Sequence, residues 1–235
     1  MWRGSLSVGQ LDRDFGLPKT ISRGGVIELP TSPSTTTSDD SISAAIWSEI
    51  AAISHVAILA STVSDTLLKQ LWQHPGLIAI HCRGAWSVTA SSAVELKKCP
   101  NLVSIGLESS SETTAILHTL AALSNLRNLS INNATASNEL LAAITPLKEL
   151  ESLSLINAAV ADDHTVQLAK LTKLKMLVLQ QTSVAGNNKP KLTNKGLQSL
   201  KSLKELKYLD LQGHGLTLEA EADFKASLLE CAILR

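Results

Sequence analysis

The sequence predicts an α/β fold of stacked repeats, on two observations. The phrase Leu-x-x-Leu-x-(Leu/Ile) occurs three times in succession, at Leu126, Leu129, Ile131, at Leu150, Leu153, Leu155 and at Leu174, Leu177, Leu179. Its starts are evenly spaced (150 − 126 = 24 and 174 − 150 = 24), and a fixed period in that range marks units that stack on one another. Between these extended phrases the apolar residues recur three or four apart, as in Leu117, Leu120, Leu123 and Leu197, Leu200, Leu203, the spacing of one face of a short helix.

The period extends in both directions. Strand phrases begin at Ile53, Leu77, Leu102, Leu126, Leu150, Leu174 and Leu206, with steps of 24, 25, 24, 24, 24 and 32, giving seven units. The long step carries an insertion at about Gly186–Thr193. Ser64, Ser137 and Thr193 are placed to cap helices, their side-chain oxygens taking a free N–H of the first turn. Pro146 and Gly196 fall where a short outer helix begins or ends. Open ends of such a stack need covering. Leu216 to Leu234, with Leu218, Phe224, Leu228, Leu229 and Ile233, reads as a closing helix, and Ile46, Trp47 and Ile50 as the first outer helix. Residues 31–41 hold no core former and read as a linker. Val26 to Leu29 form a short extended segment that could lie beside the first strand, Leu29 standing one period before Ile53 (53 − 29 = 24). The expected organisation is an amino-terminal arm over residues 1–42 and a repeat domain over 43–235.

From about Ser43 to Leu211 the recurring phrase resembles the leucine-rich repeat family. Leu206-x-x-Leu209-x-Leu211, Thr182-x-Val184 and Gly196-Leu197 are similar to the ribonuclease-inhibitor-like subclass, with its Thr-x-(Val/Leu) and Gly-Leu elements. Val63-Ser64-Asp65 and Val160-Ala161-Asp162 match the Thr/Ser-Asp corner of that subclass. The resemblance implies a curved solenoid, with parallel strands on the concave face and short helices on the convex one. Each unit has an apolar edge that only its neighbour can bury. The sequence departs from the family at the position that commonly carries a ladder of Asn or Cys. Here it reads Ser61, Ala85, Ser110, Ala134, Ala158, Thr182 and His214, so small residues, backbone bonds or water are expected to satisfy the loop carbonyls.

Composition narrows the function. The 235 residues are 44% apolar, ample for a core, and 21 basic residues balance 21 acidic ones, so no global field draws the chain to nucleic acid or membrane. Aromatics are only 3%, low for a binder that stacks on rings. Cys82, Cys99 and Cys231 make no C-x-x-C pair, which argues against a disulfide framework or zinc site and fits a reducing compartment. Cys82 and Cys99 fall at core positions of their units. Met1–Gln10 has no signal-like apolar run and no eighteen uncharged apolar residues follow one another, so a cytoplasmic protein without a membrane span is expected.

Function in such a stack is expected where strand side chains alternate outward. Asn128, Ser130, Asn132, Ser152, Ser154 and Asn157 form a small, uncharged strip, suited to a peptide backbone or to solvent. Met176, Val178, Gln180, Gln181, Tyr208 and Asp210 combine an aromatic, a thioether and polar groups, the mix of a binding hot spot. His81, Arg83 and Glu108 are a secondary patch, with Arg83 and Glu108 expected as an exposed pair on neighbouring strands. Nine Lys against Glu205 lie between Thr165 and Lys207. Nucleic acid is disfavoured, because these Lys sit on solvated corners without interleaved aromatics, and an acidic protein is the milder use of the patch. His81 and Asp210 are five strands apart, about 24 Å at ~4.8 Å per strand, too far for a dyad. Asp162-Asp163-His164 reads as helix capping, with a metal-dependent enzyme as the alternative.

The expected function is a non-catalytic module that binds a protein or peptide on its concave face, without cofactor or metal. The alternative is a recognition or regulatory domain of a larger assembly, of receptor or ligase-adaptor type.

Overall fold

A computed structural model describes residues 25–28, 44–51, 53–182 and 192–234. The chain divides into two compact units, Met1–Asn128 and Leu129–Arg235. The strip of residues 31–41, Leu29 and most of the insertion lie outside the described residues.

In the first unit, β1 (Gly25–Glu28), β2 (Val56–Ser64), β3 (Leu77–Ser87) and β4 (Ser104–Glu108) lie side by side in chain order, all parallel. Helices α1 (Ala44–Ala51), α2 (Asp65–Leu71) and α3 (Ala90–Ala93), the last continued by a 3₁₀ turn at Val94–Lys98, link them, and α4 (Thr113–Leu120) follows β4. In the second unit β6 (Ser152–Ile156), β7 (Met176–Val178), β8 (Tyr208–Asp210) and β9 (Ala232–Leu234) repeat the arrangement. β5 (Asn128–Asn132) begins on the last residue of the first unit, and α5 (Asn138–Ile144), α6 (Asp162–Leu168), α7 (Asn194–Ser199) and α8 (Leu218–Ser227) alternate with the strands. Parallel strands in chain order, with a helix between each strand and the next, make the fold α/β, built of repeated strand–helix units.

The core is the aliphatic set the period marks. Leu150, Leu153, Leu155, Leu174, Leu177, Leu206 and Leu209 are buried beneath helix residues such as Leu141, Leu168, Leu197 and Phe224. Burial on this scale, at roughly 25 cal/mol per Å² of apolar surface, dominates the stability of each unit. Cys82, Cys99 and Cys231 are buried as well. Burial raises all three thiols, that of Cys99 to about 11, which leaves them protonated core fillers.

Caps close the helices as their sequence suggests. Ser64, Ser137 and Thr193 accept from the N–H of Leu67, Leu140 and Lys195. Thr89 and Thr217 cap α3 and α8 in the same way.

Three expectations need correction. The closing helix stops at Ser227, and the chain then adds β9 to the sheet, where Ala232 pairs with Tyr208, one period earlier (232 − 208 = 24). Phe224 and Leu228 enter the core, but Leu218 and Leu229 are 68% and 88% exposed. The first step is displaced: Ile58 faces Ile80, two short of a full period (80 − 58 = 22), and a shift at Ala60/Thr62 brings Ser64 opposite Ser87. At the amino end β1 does lie beside β2, as its extended pattern suggests, but Ile27 faces Ile58 (58 − 27 = 31), so it does not continue the regular period.

Candidate functional site

The open face of the second unit is built by alternation. Leu153 and Leu155 turn into the core, which leaves Ser152 and Ser154 half-buried on the opposite side. The register carries these rows onward: Ser152 faces Met176, Met176 faces Tyr208, Ser154 faces Val178 and Val178 faces Asp210. Met176, Val178, Tyr208 and Asp210 are therefore adjacent, as their columns suggest. Tyr208 is half-buried, and its hydroxyl is raised in pKa by burial and then by the charge of Asp210. Val178 and Asp210 are buried more deeply than a surface column suggests.

Beyond the strand ends lies an amide row. Gln180 Nε2 donates to Gln212 Oε1 at 2.8 Å, and Gln181 Oε1 accepts from the Ala159 N–H at 3.1 Å. Asn157 Nδ2 donates to Asn133 Oδ1 at 3.1 Å, while Asn157 Oδ1 accepts from the Thr182 N–H and hydroxyl at 2.8 and 2.9 Å. Asn133, Asn157 and Gln181 stand at the eighth position of their phrases, one before the ninth, and Gln180 and Gln212 at the seventh. Asn133 and Asn157 hold positive φ, 58° and 57°, which asparagine tolerates better than most residues. In the last turn the ninth-position residue does act. His214 Nε2 donates to the Leu179 carbonyl at 2.7 Å while Nδ1 accepts from the Leu192 N–H at 3.2 Å, a division of roles that fixes the tautomer.

The first unit treats the same face differently. Leu59, His81 and Ser104 are 2%, 6% and 0% exposed, and Ala57, Ala79 and Asn128 are buried too. His81 Nε2 lies 2.7 Å from Ser104 Oγ, and burial lowers the imidazole pKa to about 3, so the ring is neutral. The ring rests against Gly106 on the next strand, where a Cβ would meet its Cγ and Cε1 at 2.9 Å. Of the secondary patch, His81 is thus an interior residue; Arg83 is exposed and Glu108 half-buried, two positions along from the His81–Gly106 pair.

Asp162, Asp163 and His164 are engaged locally. Burial opposes ionisation of Asp162, but bonds from the Thr193 hydroxyl (2.6 Å) and N–H (2.8 Å), the Gly196 N–H and the charge of Lys195 outweigh it, and the carboxyl pKa is lowered. A Cβ at Gly196 would meet Asp162 Oδ1 at 2.5 Å, which is why glycine stands there. Asp65 makes the same clamp to Thr89, with both bonds at 2.9 Å, and is lowered in the same way against its burial. His164 Nδ1 accepts from the Ala161 N–H and closes the start of α6. Among the described residues no group of three or more His, Cys, Asp or Glu is placed to hold a metal.

The lysines are partly neutralised between repeats. Lys173 pairs with Glu149 at 2.7 Å, Lys175 with Glu151 at 2.8 Å and Lys201 with Asp223 at 2.7 Å. Among the described residues no helix is long and apolar enough to cross a membrane.

No family model matches the chain, and no curated protein matches it. Among solved structures, the chain is similar to the Leptospira interrogans LRR protein LIC12759, at 17% identity and a TM-score of 0.46. The match covers 83% of this chain and 51% of that one, so the chain spans about half the length of its structural neighbour.

Proposed function

We propose that the chain is a non-catalytic interaction module that takes an extended protein or peptide segment on the open face of its second unit. One observation carries this. The Gln180–Gln212 pair uses one donor and one acceptor on each other, leaving Gln180 Oε1 and Gln212 Nε2 as one acceptor and one donor, the complement of a peptide group. Beside that bracket, Met176, Val178 and Tyr208 supply apolar and aromatic contact of the kind that dominates binding energy. The half-buried hydroxyls of Ser130, Ser152 and Ser154 extend the surface without charge.

His81, Asp162 and His164, the residues first weighed for acid–base chemistry, are engaged within the fold, which supports a role in binding. His81 is neutral and interior, and Asp162 and His164 serve α6 and α7. The Asp162–Thr193–Gly196 contact supports the Thr/Ser-Asp, Gly-Leu subclass of repeat. An acidic partner on the lysine corners has less support, since Lys173, Lys175 and Lys201 already face carboxylates.

Capture of partners from lysate by the full chain tests the proposal. Tyr208→Ala with Gln180→Glu is expected to abolish capture while circular dichroism and melting stay unchanged. Undiminished capture by this variant would overturn the assignment of the face.

A further inference from the structure

Asp210 differs from the paired carboxylates of the second unit. It lies on β8 between Val178 of β7 and Leu234 of β9, and is only 7% exposed. Among the described residues its one side-chain hydrogen bond is from the Gln212 N–H to Oδ1, at 2.9 Å. The lysines of the unit that form ion pairs reach Glu149, Glu151, Asp223 and Glu221 instead.

That single bond is a turn contact between residues two apart, which an asparagine would make equally well. The turn therefore does not account for the charge. A buried carboxylate is costly unless it is paired, and among the described residues Asp210 forms no ion pair and accepts one hydrogen bond where a carboxylate accepts up to about four. The surroundings are those that a long cationic side chain needs. Val178 and the exposed Leu234 flank the carboxylate on neighbouring strands. Tyr208, two residues away on the same face, has Met176 beside it. An alkyl stem can lie on these apolar groups while its charged end reaches the carboxylate, and a ring beside the path adds a cation–π contribution.

We infer that the face reads a basic residue: a Lys or Arg side chain of the bound segment docks on Asp210, with its stem against Val178, Tyr208 and Leu234. This rests on the peptide-binding reading given above and sharpens it, since the face then selects sequence as well as extended shape. A buried charge pair of this kind weakens sharply when one partner is removed.

The test is a selection of random twelve-residue peptides displayed on phage, run in parallel on the full chain, on Asp210→Asn and on Tyr208→Ala. Asparagine preserves the acceptor for Gln212, and thermal melting of each variant checks folding. Peptides selected by the unmodified chain are expected to carry Lys or Arg at one fixed position. Asp210→Asn is expected to bind them at least tenfold more weakly and to select peptides without that basic residue. Selected peptides that compete for the face, as shown by loss with Tyr208→Ala, but that carry no fixed basic residue would overturn the inference and leave the peptide-binding reading standing. Equal binding of basic peptides by Asp210→Asn would overturn it too, and recovery of no peptides at all would overturn both. Should Asp210→Asn melt early, replacing the peptide's Lys or Arg by norleucine gives the same test on the unmodified chain: a tenfold loss supports the inference, and unchanged binding rejects it.

Discussion

The two units share one architecture and use its open face in opposite ways. In the first, Leu59, His81 and Ser104 are interior, and Ala57 and Ala79 beside them are buried too, while Arg83 and Glu108 farther along the strands stay nearer the surface. In the second, Ser152, Ser154, Met176 and Tyr208 stay half-exposed, and amide side chains form ladders between repeats. The same alternation of side chains thus makes a second core in one half and an open, mostly polar surface in the other. Which it becomes depends on the residues in the outward columns: leucine, alanine and a neutral histidine in the first, serine, amides and an aromatic in the second.

Substitution on the two faces should separate them most strongly. Leu59→Ala is expected to cost about 2–5 kcal/mol, as a large-to-small change in a core. Ser154→Ala should stay within about 0.5 kcal/mol. Urea unfolding can follow the halves separately, since all four Trp (2, 47, 72 and 86) lie in the first unit and Tyr208 is the one Tyr. Equal costs at the two sites would remove the distinction. A smaller effect, about 1–3 kcal/mol, is expected from Gly106→Ala, because the new methyl displaces the His81 ring. His81→Ala in the same chain should recover part of that loss, which a double-mutant cycle measures.

The faces should also differ in acid. His81 has a folded pKa lowered by burial to about 3, against ~6.5 in an unfolded chain, so between these values the unfolded state binds the extra proton. Stability is then complete above pH ~6.5 and falls as pH drops toward 3, with a slope of at most about one proton. His81→Gln should flatten that limb in the first unit, as followed by Trp fluorescence against pH. The smallest effect belongs to the corner clamps. Asp65 and Asp162 have lowered carboxyl pKa values because their hydrogen bonds outweigh burial. Their contribution is present above the unfolded pKa near ~3.9 and is lost only as pH falls through the lower folded value. Asp162→Asn should reduce the acid dependence of unfolding below pH ~4 and lower stability at neutral pH, where the ionised carboxylate makes its full contribution.

Much of this architecture is legible in the sequence, because stacking imposes a period that leucines record directly. The caps at Ser64, Ser137 and Thr193 and the grouping of Met176, Val178, Tyr208 and Asp210 follow from the same counting. The displaced first step does not. A slip by two positions keeps every side chain on its original face, so the apolar pattern is nearly blind to it. The asparagine ladder was hidden by its position, one residue before the place where the resemblance directs attention. β9 leaves a trace in Cys231-Ala232-Ile233-Leu234, which follows Tyr208-Leu209-Asp210 by one period, but the helical spacing of Phe224 and Leu228 competes with it. The burial of the first unit's outward face is the least legible feature. A column of Ala, Leu and His reads the same whether it is covered or bare.

If binding belongs to the open face of the second unit, as proposed, a bulky block on that face should remove it. Ser154→Arg places a large side chain in the middle of the strip, and Val166→Arg places the same side chain on α6, at a position already 55% exposed. Lysate capture should be lost in Ser154→Arg and retained in Val166→Arg, with both chains melting like the parent. Retention in Ser154→Arg, or equal loss in the two, would contradict the claim.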